Sequence, residues 1–378
     1  MDFAPTETQD ITRKSVRAFV EQEVVPHSRA FDESQEFPHA WAKKMGELGL
    51  FGVYVPEKYG GSGLDSISYA ITIEELSRGD ASAGVIAAVC NGLVCEPLLR
   101  YGTEEQKQRY LMPVARGEWI GAYALTEPGS GSDAAGMRTT AERKGDEWIL
   151  NGTKSFATNA SVAKVVIAYA RTGRQKHEIS AFIIPTDADG FSVLKKEDKM
   201  GIRASDTVSL GFDHLRIPKD NLLGELHKGF TIAMATLDGG RIGIAAQALG
   251  IAQRALEESA KFAKEREAFG QKIGGFQAIQ WKLADMATEI DAARLLTYRA
   301  AQMKDLGRRH TYESSVAKLF ASEAAHRAVD AAVQIHGGYG FIKDYVVEKL
   351  YRDQRVTEIY EGTSEIQRLV IARSVLGK

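Results

Sequence analysis

The distribution of proline is the feature of this sequence that most constrains its fold. The last of the nine prolines is Pro218, so residues 219–378 contain none. A proline inside an α-helix costs about 3 kcal/mol, and long helices therefore exclude it. Apolar residues such as Ile279 and Leu283 recur there at helical spacing, and several faces are rich in alanine, which lets helices pack closely. The sequence predicts a helical bundle over residues 227–378.

The two preceding regions differ from each other in their residue types and in the spacing of their apolar residues. Residues 1–118 are predicted to form helices joined by glycine-rich loops, one of them starting with a cap at Thr103. Residues 119–226 contain short β-branched runs and turn residues without long intervening helices. That pattern favours an antiparallel sheet, folded as a barrel or a sandwich, over a βαβ fold. Within it, Asn151-Gly152 predicts a two-residue hairpin turn. The predicted fold class is therefore α+β, in the order helical domain, β domain, helical bundle.

Charge and composition exclude several functions. The chain carries 48 Lys and Arg against 50 Asp and Glu, for a net charge of −2, whereas a dedicated nucleic-acid binder shows a basic excess. Cys90 and Cys95 lie in apolar surroundings, which favours reduced core cysteines over a redox pair or a metal site. The eight histidines show no metal-ligand spacing, so no metal is expected.

Targeting signals are absent from the visible sequence. The first residues show no basic stretch followed by an apolar one, and no segment has about 18 uninterrupted apolar residues. The expectation is a cytoplasmic protein that does not enter a membrane. A trimmed mitochondrial-matrix protein is the open alternative.

Two glycine clusters are candidates for ligand binding. Residues 129–134 satisfy the pattern GxGxxA, but residues 136–146 show no amphipathic helix, so the dinucleotide-binding interpretation lacks its context. The remaining alternatives are a flexible loop and a loop whose N–H groups and hydroxyls face a phosphate. At the end of a long helix, Gly337, Gly338 and Gly340 exceed the single glycine that a C-cap needs, which favours close approach of a backbone or a ligand.

A third candidate is the carboxylate of Glu361. Ser364 and Gln367 predict a capping box for the last helix, so Glu361 lies in the loop before it, next to apolar Ile359 and Tyr360. From this segment alone, a solvated loop residue and a functional carboxylate both remain open.

Taken together, these segments resemble the acyl-CoA dehydrogenases over nearly the whole chain. One family signature matches residues 124–136, and a second matches residues 334–353. Residues 236–247 and 359–365 are most similar to the short-chain, butyryl-CoA type. The resemblance implies an N-terminal helical domain, a middle β domain and a C-terminal four-helix bundle, which agrees with the order already predicted.

The resemblance also implies a reaction. A family member binds FAD and dehydrogenates an acyl-CoA thioester to the trans-2-enoyl-CoA, and Glu361 matches the base that removes the α proton while a hydride leaves for flavin N5. Some relatives carry the base just before an arginine, but here Gly240 precedes Arg241. The resemblance further implies fatty-acid β-oxidation, electron-transfer flavoprotein as acceptor, and a homotetramer.

The remaining site residues are also implied by the resemblance. Expected contacts to the ring and pyrophosphate of FAD are Tyr123, Leu125, Thr126, Ser132, Phe156 and Thr158, and Thr363 and Glu365 match contacts on its adenine side. Phe156 stands where the family often has tryptophan; it can stack but lacks the indole N–H. Contacts expected from a neighbouring subunit are Arg266, Phe269, Gln277, Gln334 and Gly338. Expected substrate contacts are Ser132, Asp238, Arg241 and Gly362.

Other functions are open at this point. An acyl-CoA oxidase would perform the same half-reaction with oxygen as acceptor, but the typical extra C-terminal domain is not seen. A related flavin oxidase acting on another substrate, a branched- or medium-chain preference, and a non-catalytic helical scaffold are the further alternatives.

Overall fold

The computed structural model describes residues 4–377 and places a β domain between two helical regions. In the first region, α1 begins at a capping box on Thr6, and the predicted cap at Thr103 is confirmed with Gln106 as its partner. The helices are α1 (Glu7–Phe19), α2 (Ser28–Ser34), α3 (His39–Glu47), α4 (Ser66–Gly79), α5 (Ala81–Ala88), α6 (Glu96–Tyr101), α7 (Glu104–Gln106) and α8 (Met112–Ala115).

The β domain is one eight-stranded sheet. Its order is β6-β7-β3-β2-β4-β5-β8, with β1 parallel to β4 and a single parallel pair, Thr140 with Arg171, joining β2 to β4. The other pairings are antiparallel, as predicted. The strands are β1 (Gly121–Ala124), β2 (Thr140–Lys144), β3 (Glu147–Thr158), β4 (Val165–Arg171), β5 (Ile179–Pro185), β6 (Phe191–Lys196), β7 (Thr207–Pro218) and β8 (Leu222–Leu223).

The sheet folds over a core of its own and also contacts the helices. Trp148 on β3 packs edge-on against Phe182 on β5, with ring centroids 5.2 Å apart, so the two halves of the sheet face each other like a sandwich. Successive residues of β4 alternate between cores: Val166 belongs to the sheet core, whereas Ile167 joins the main helical core. Because both faces are buried, residues 165–170 of β4 are an uninterrupted apolar run.

The predicted hairpin turn at Asn151-Gly152 is wrong. Both residues lie inside β3, and the chain reverses instead at residues 145–146, between β2 and β3. Gly152 marks an irregularity in the pairing of β3 with β7, where a Cβ would lie 2.5 Å from Thr139 Oγ1. Glycine is therefore required by close packing inside a strand, which gives the same local sequence signal as a turn.

The proline-free region forms long helices, as predicted. The longest, α9, packs against α4, α10 and α11, and α13 lies on α11. The remaining elements are α9 (Gly229–Glu265), β9 (Glu267–Ala268), β10 (Gln271–Lys272), α10 (Gln277–Asp305), α11 (Thr311–His336), α12 (Val346–Gln354) and α13 (Ser364–Val375).

The predicted cap of the last helix is displaced by one residue. Thr363, not Ser364, is the N-cap of α13, and its side chain accepts from Ile366 N–H. Ser364 is already helical, and Gln367 turns its side chain toward the preceding loop instead of closing a capping box.

One apolar stretch in the described part of the chain, Ala81–Tyr101, is long enough to cross a membrane. Within the fold, 94% of its apolar window is buried, so it is a core segment. Cys90 and Cys95 lie in this stretch as buried free thiols, as predicted, and burial raises the pKa of Cys90 to about 12.

Candidate functional site

The loop before α13 holds Glu361 in an unusual backbone conformation. Glu361 has φ 51° and Gly362 has φ 94°, so a non-glycine residue occupies the left-handed region. The Gly362 carbonyl accepts hydrogen bonds from Lys318 Nζ at 2.8 Å and from Gln367 Nε2 at 2.9 Å. A strained backbone persists only where its surroundings fix it, and these two buried side chains do so.

The Glu361 carboxylate points into the interior of the protein. Its Oε2 atom is buried and has no hydrogen-bond partner among residues 4–377. A Cβ on Gly240 would lie 2.1 Å from that oxygen, so the carboxylate packs directly against the glycine and a larger residue there would displace it. Ile359, which is close in sequence, is half exposed, whereas Leu93 lies beside Gly240 of α9 on the carboxylate side.

The environment of Glu361 suits a base that works near neutral pH. Burial raises the pKa of the carboxyl to about 7, and the positive charges of Lys318 and Arg241 oppose that rise. Leaving a buried polar atom without a hydrogen-bond partner costs free energy. Such an atom is expected where a substrate supplies the missing contact.

Arg241 and Asp238, the predicted substrate contacts on α9, form a pair. Arg241 Nη1 donates to Asp238 Oδ1 at 2.6 Å and to Ser315 Oγ at 3.3 Å, and Thr311 donates to the other oxygen of Asp238. Arg241 is only 5% exposed, so it is a buried cation beside Glu361. Its Nε has no partner in the described chain.

The first signature leads into an open loop beside an exposed aromatic ring. Ser155 N–H donates to Thr126 O at 2.8 Å, which places β3 against the segment that leaves β1. Next to it, Phe156 has φ 57° and is 64% exposed. Gly129 and Gly131 face open space. A strained, exposed aromatic side chain and an open glycine loop fit the flat ring and phosphates of FAD.

The predicted FAD contacts occupy four places in the chain. Tyr123 lies on β1 and Leu125 and Thr126 directly follow it, while Thr158 ends β3 two residues after Phe156. Ser132 is exposed farther along the loop. Thr363 and Glu365 lie instead at the start of α13, where Thr363 caps the helix and Glu365 is exposed.

The contacts predicted to come from a neighbouring subunit form a second group, away from Glu361. Arg266 and Gly338 line a cavity of about 400 Å³ at the end of α11. Phe269 is 97% exposed, and Gln277 and Gln334 are exposed as well. Along α11, Gln334 is about 24 Å from Lys318 at 1.5 Å per residue. One chain therefore does not bring this group to the Glu361 loop, and its role across subunits stays a prediction.

Two buried lysines near these loops were missed at the sequence level. Lys154 donates to Glu127 Oε1 at 2.9 Å and to Leu125 O at 3.2 Å. It therefore links β3 to residues 125–136 of the first signature, called the signature loop below. Lys318 holds the Glu361 loop. The available signal was a lysine within an apolar pattern: Lys318 follows Ala317 on the alanine-rich face of α11.

Comparison with known protein families covers nearly the whole chain. Residues 6–118 match the N-terminal domain of acyl-CoA dehydrogenases, residues 122–215 match the middle domain, and residues 227–376 match the C-terminal domain.

Individual relatives agree with the family match. The chain is 53% identical to the short-chain specific acyl-CoA dehydrogenase of Bos taurus mitochondria, over 98% of this chain and 90% of that protein. It superposes on butyryl-CoA dehydrogenase from Megasphaera elsdenii with a TM-score of 0.98 and 43% identity, covering 100% of both chains. A chain of the structure described as "Electron transferring flavoprotein of Acidaminococcus fermentans: Towards a mechanism of flavin-based electron bifurcation" gives 0.99 and 46%, also covering 100% of both.

The α–β–α order, the buried carboxylate opposite Gly240 and the matches to all three domains lead to one conclusion. This chain belongs to the acyl-CoA dehydrogenase family of FAD-dependent oxidoreductases.

Proposed function

We propose that this protein is a short-chain acyl-CoA dehydrogenase that converts a butyryl-CoA-type thioester to the trans-2-enoyl-CoA. The observation that carries the proposal is the buried, unpartnered Oε2 of Glu361 opposite Gly240. The short-chain and butyryl-CoA relatives support the substrate class. A methylene is worth only about 1–3 kcal/mol of discrimination, so neighbouring chain lengths overlap in activity.

In the proposed reaction, Glu361 removes the α proton of the thioester. Its backbone N–H donates to no acceptor among residues 4–377, so it is free to bond the thioester oxygen as negative charge develops there. The positive charges of Arg241 and Lys318 favour the ionised form of the carboxyl against the effect of its burial. The signature loop and Phe156 would hold FAD, which when bound would supply the acceptor for the β-hydrogen as a hydride.

We further propose that electron-transfer flavoprotein reoxidises the enzyme and that the protein is a homotetramer. The structural neighbour named for an electron-transferring flavoprotein supports the first proposal. The separation of Arg266 and Gln334 from the Glu361 loop supports the second, because a neighbouring chain is needed to bring them to a flavin.

The pH dependence of catalysis follows from Glu361. Only the ionised carboxylate accepts a proton, so kcat/KM is expected to rise with pH and to level off above about pH 7, the pKa of the buried carboxyl. Steady-state assays at low substrate concentration measure this rise, which is the acid limb of the kcat/KM profile. A limb at the ordinary pKa of a glutamate, 4.5, would contradict the assignment.

The substrate proposal is tested by anaerobic mixing with acyl-CoAs of increasing chain length while the flavin absorbance is followed. The expected result is rapid bleaching that is fastest with butyryl-CoA. Fastest bleaching with long-chain substrates would overturn the short-chain assignment. Rapid recovery of colour in air, with peroxide formed, would indicate an oxidase, and a colourless protein would favour a scaffold.

A further inference from the structure

Lys318 differs from the other lysines that are buried in this fold. Its side chain is fully buried on α11, among alanines such as Ala317 and Ala321. Lys154 pairs with Glu127, and Lys349 pairs with two aspartates. Lys318 forms no ion pair within 4.0 Å in the described chain, and its Nζ donates instead to the Gly362 carbonyl. Burying an ammonium without a paired carboxylate is costly, so this position needs an explanation.

The electrostatic surroundings of Lys318 are centred on Glu361. Burial lowers the pKa of the lysine to about 8, and Glu361 is the strongest opposing influence. The other charged groups that act on the lysine come from three elements. They are Arg241 on α9, Glu358 in the segment after α12, and Glu365 on α13. The charge of Glu361 also helps to raise the pKa of three tyrosines, which are Tyr69 on α4, Tyr123 on β1 and Tyr360.

The position of the ammonium keeps the carboxylate available. A direct ion pair would occupy the oxygen that must accept a proton, whereas Oε2 of Glu361 is unpartnered. By bonding the carbonyl of the next residue, Lys318 places its charge near the carboxylate without covering it. Arg241 likewise leaves the Glu361 carboxylate free, because its guanidinium donates to Asp238.

The Gly362 carbonyl also separates the two effects that Lys318 can have. Gln367 donates to the same oxygen and is equally buried, but it is neutral. Removing either side chain takes one donor from the left-handed turn. Only removal of Lys318 also takes away a positive charge.

We propose that Lys318 is a positioning residue for Glu361, fixing the turn through the Gly362 carbonyl and supplying a charge that keeps the base ionised while leaving its proton-accepting oxygen free. The inference rests on the proposed role of Glu361 as the base. It assigns to the first half of α11 a part in the chemistry that is independent of contact with substrate.

The test compares Lys318→Met with Gln367→Met in the FAD-loaded protein. Both variants are expected to lower turnover, because both loosen the turn. In Lys318→Met the acid limb of the kcat/KM profile should move upward by at least about 1 pH unit, the effect at an effective dielectric of about 20 of a charge that lies within about 12 Å. In Gln367→Met it should stay near pH 7. If Lys318→Met does not fold, Lys318→Gln, which keeps a polar group without the charge, is expected to give the same shift.

A second readout needs no turnover. Because the pKa of Glu361 is raised on folding, the melting temperature gained by Glu361→Gln should grow as pH rises toward about 7. Adding Lys318→Met should move the pH at which this gain levels off upward by at least about 1 pH unit, and adding Gln367→Met should leave that pH in place. The proposal would be overturned if, in both Lys318 variants, the gain in melting temperature levels off at the same pH as before and the acid limb of the kcat/KM profile is unchanged. If the protein oxidises no acyl-CoA, the pH dependence of the melting temperature still tests the role of Lys318 separately from the proposed function.

Discussion

Replacing Glu361 with glutamine is expected to lower the rate of acyl-CoA oxidation by at least about 1,000-fold, within the range that general-base catalysis contributes. Glutamine keeps the size of the side chain and the backbone N–H but cannot accept the α proton. FAD and acyl-CoA binding should persist, since the loop is held by Lys318 and Gln367 through the backbone. Stopped-flow bleaching of the flavin band measures the loss. A rate close to that of the unmodified protein would contradict the assignment of the base.

Two controls separate lost chemistry from lost structure. Glu323→Gln makes the same chemical change on α11, at a partly exposed pair with Arg368, and should leave the rate unchanged. Glu361→Gln should itself stabilise the protein at alkaline pH. The unfolded carboxyl ionises near 4.5 and the folded one near 7, so Glu361 lowers the stability as pH rises between these values, and the glutamine variant lacks this contribution. The advantage of glutamine should approach about 3 kcal/mol above pH 7.

Lys154→Met is expected to destabilise the protein by about 3–5 kcal/mol, because it leaves the Glu127 carboxylate buried and unpaired. The side chains of Lys154 and Glu127 are 0% and 5% exposed. Glu127 also accepts from the N–H groups of Arg138 and Thr139, so the pair joins β3, the signature loop and the start of β2. Denaturant unfolding measures the loss of stability. The flavin content of the purified protein should fall with it, since Leu125 loses a hydrogen-bond donor.

A double variant tests whether the unpaired charge is the cause. Glu127→Gln keeps an acceptor for both backbone N–H groups but removes the charge that Lys154 balances. Lys154→Met with Glu127→Gln should therefore be more stable than Lys154→Met alone. If the double variant is the less stable of the two, packing of the lysine stem, and not charge, accounts for the loss.

The architecture was predictable because its signals are local. The absence of proline after Pro218 and the helical spacing of apolar residues identify α9, α10 and α11, and the capping box at Thr103 was located to the residue. The location of Glu361 before the last helix also follows from neighbouring residues. Each of these features depends on the chain within one or two turns.

The parts that could not be predicted depend on contacts between distant residues. Gly152 is required by Thr139 in an adjacent segment, and the Gly362 carbonyl is bonded by Lys318, which lies 44 positions away in sequence. The family resemblance supplied the role of Glu361, and the alanine-rich pattern around Lys318 indicates burial but does not show which group its ammonium binds. Side-chain packing in three dimensions decides both cases.

The burial of Ala81–Tyr101 beneath α9 has a consequence for synthesis in the cell. These apolar residues leave the ribosome well before their cover, Gly229–Glu265, has been made. At 5–20 residues per second the delay is of the order of 10 s, which is long compared with hydrophobic collapse. During that interval the nascent chain exposes a segment with the composition of a membrane anchor. We therefore expect molecular chaperones to bind the growing polypeptide there until α9 emerges.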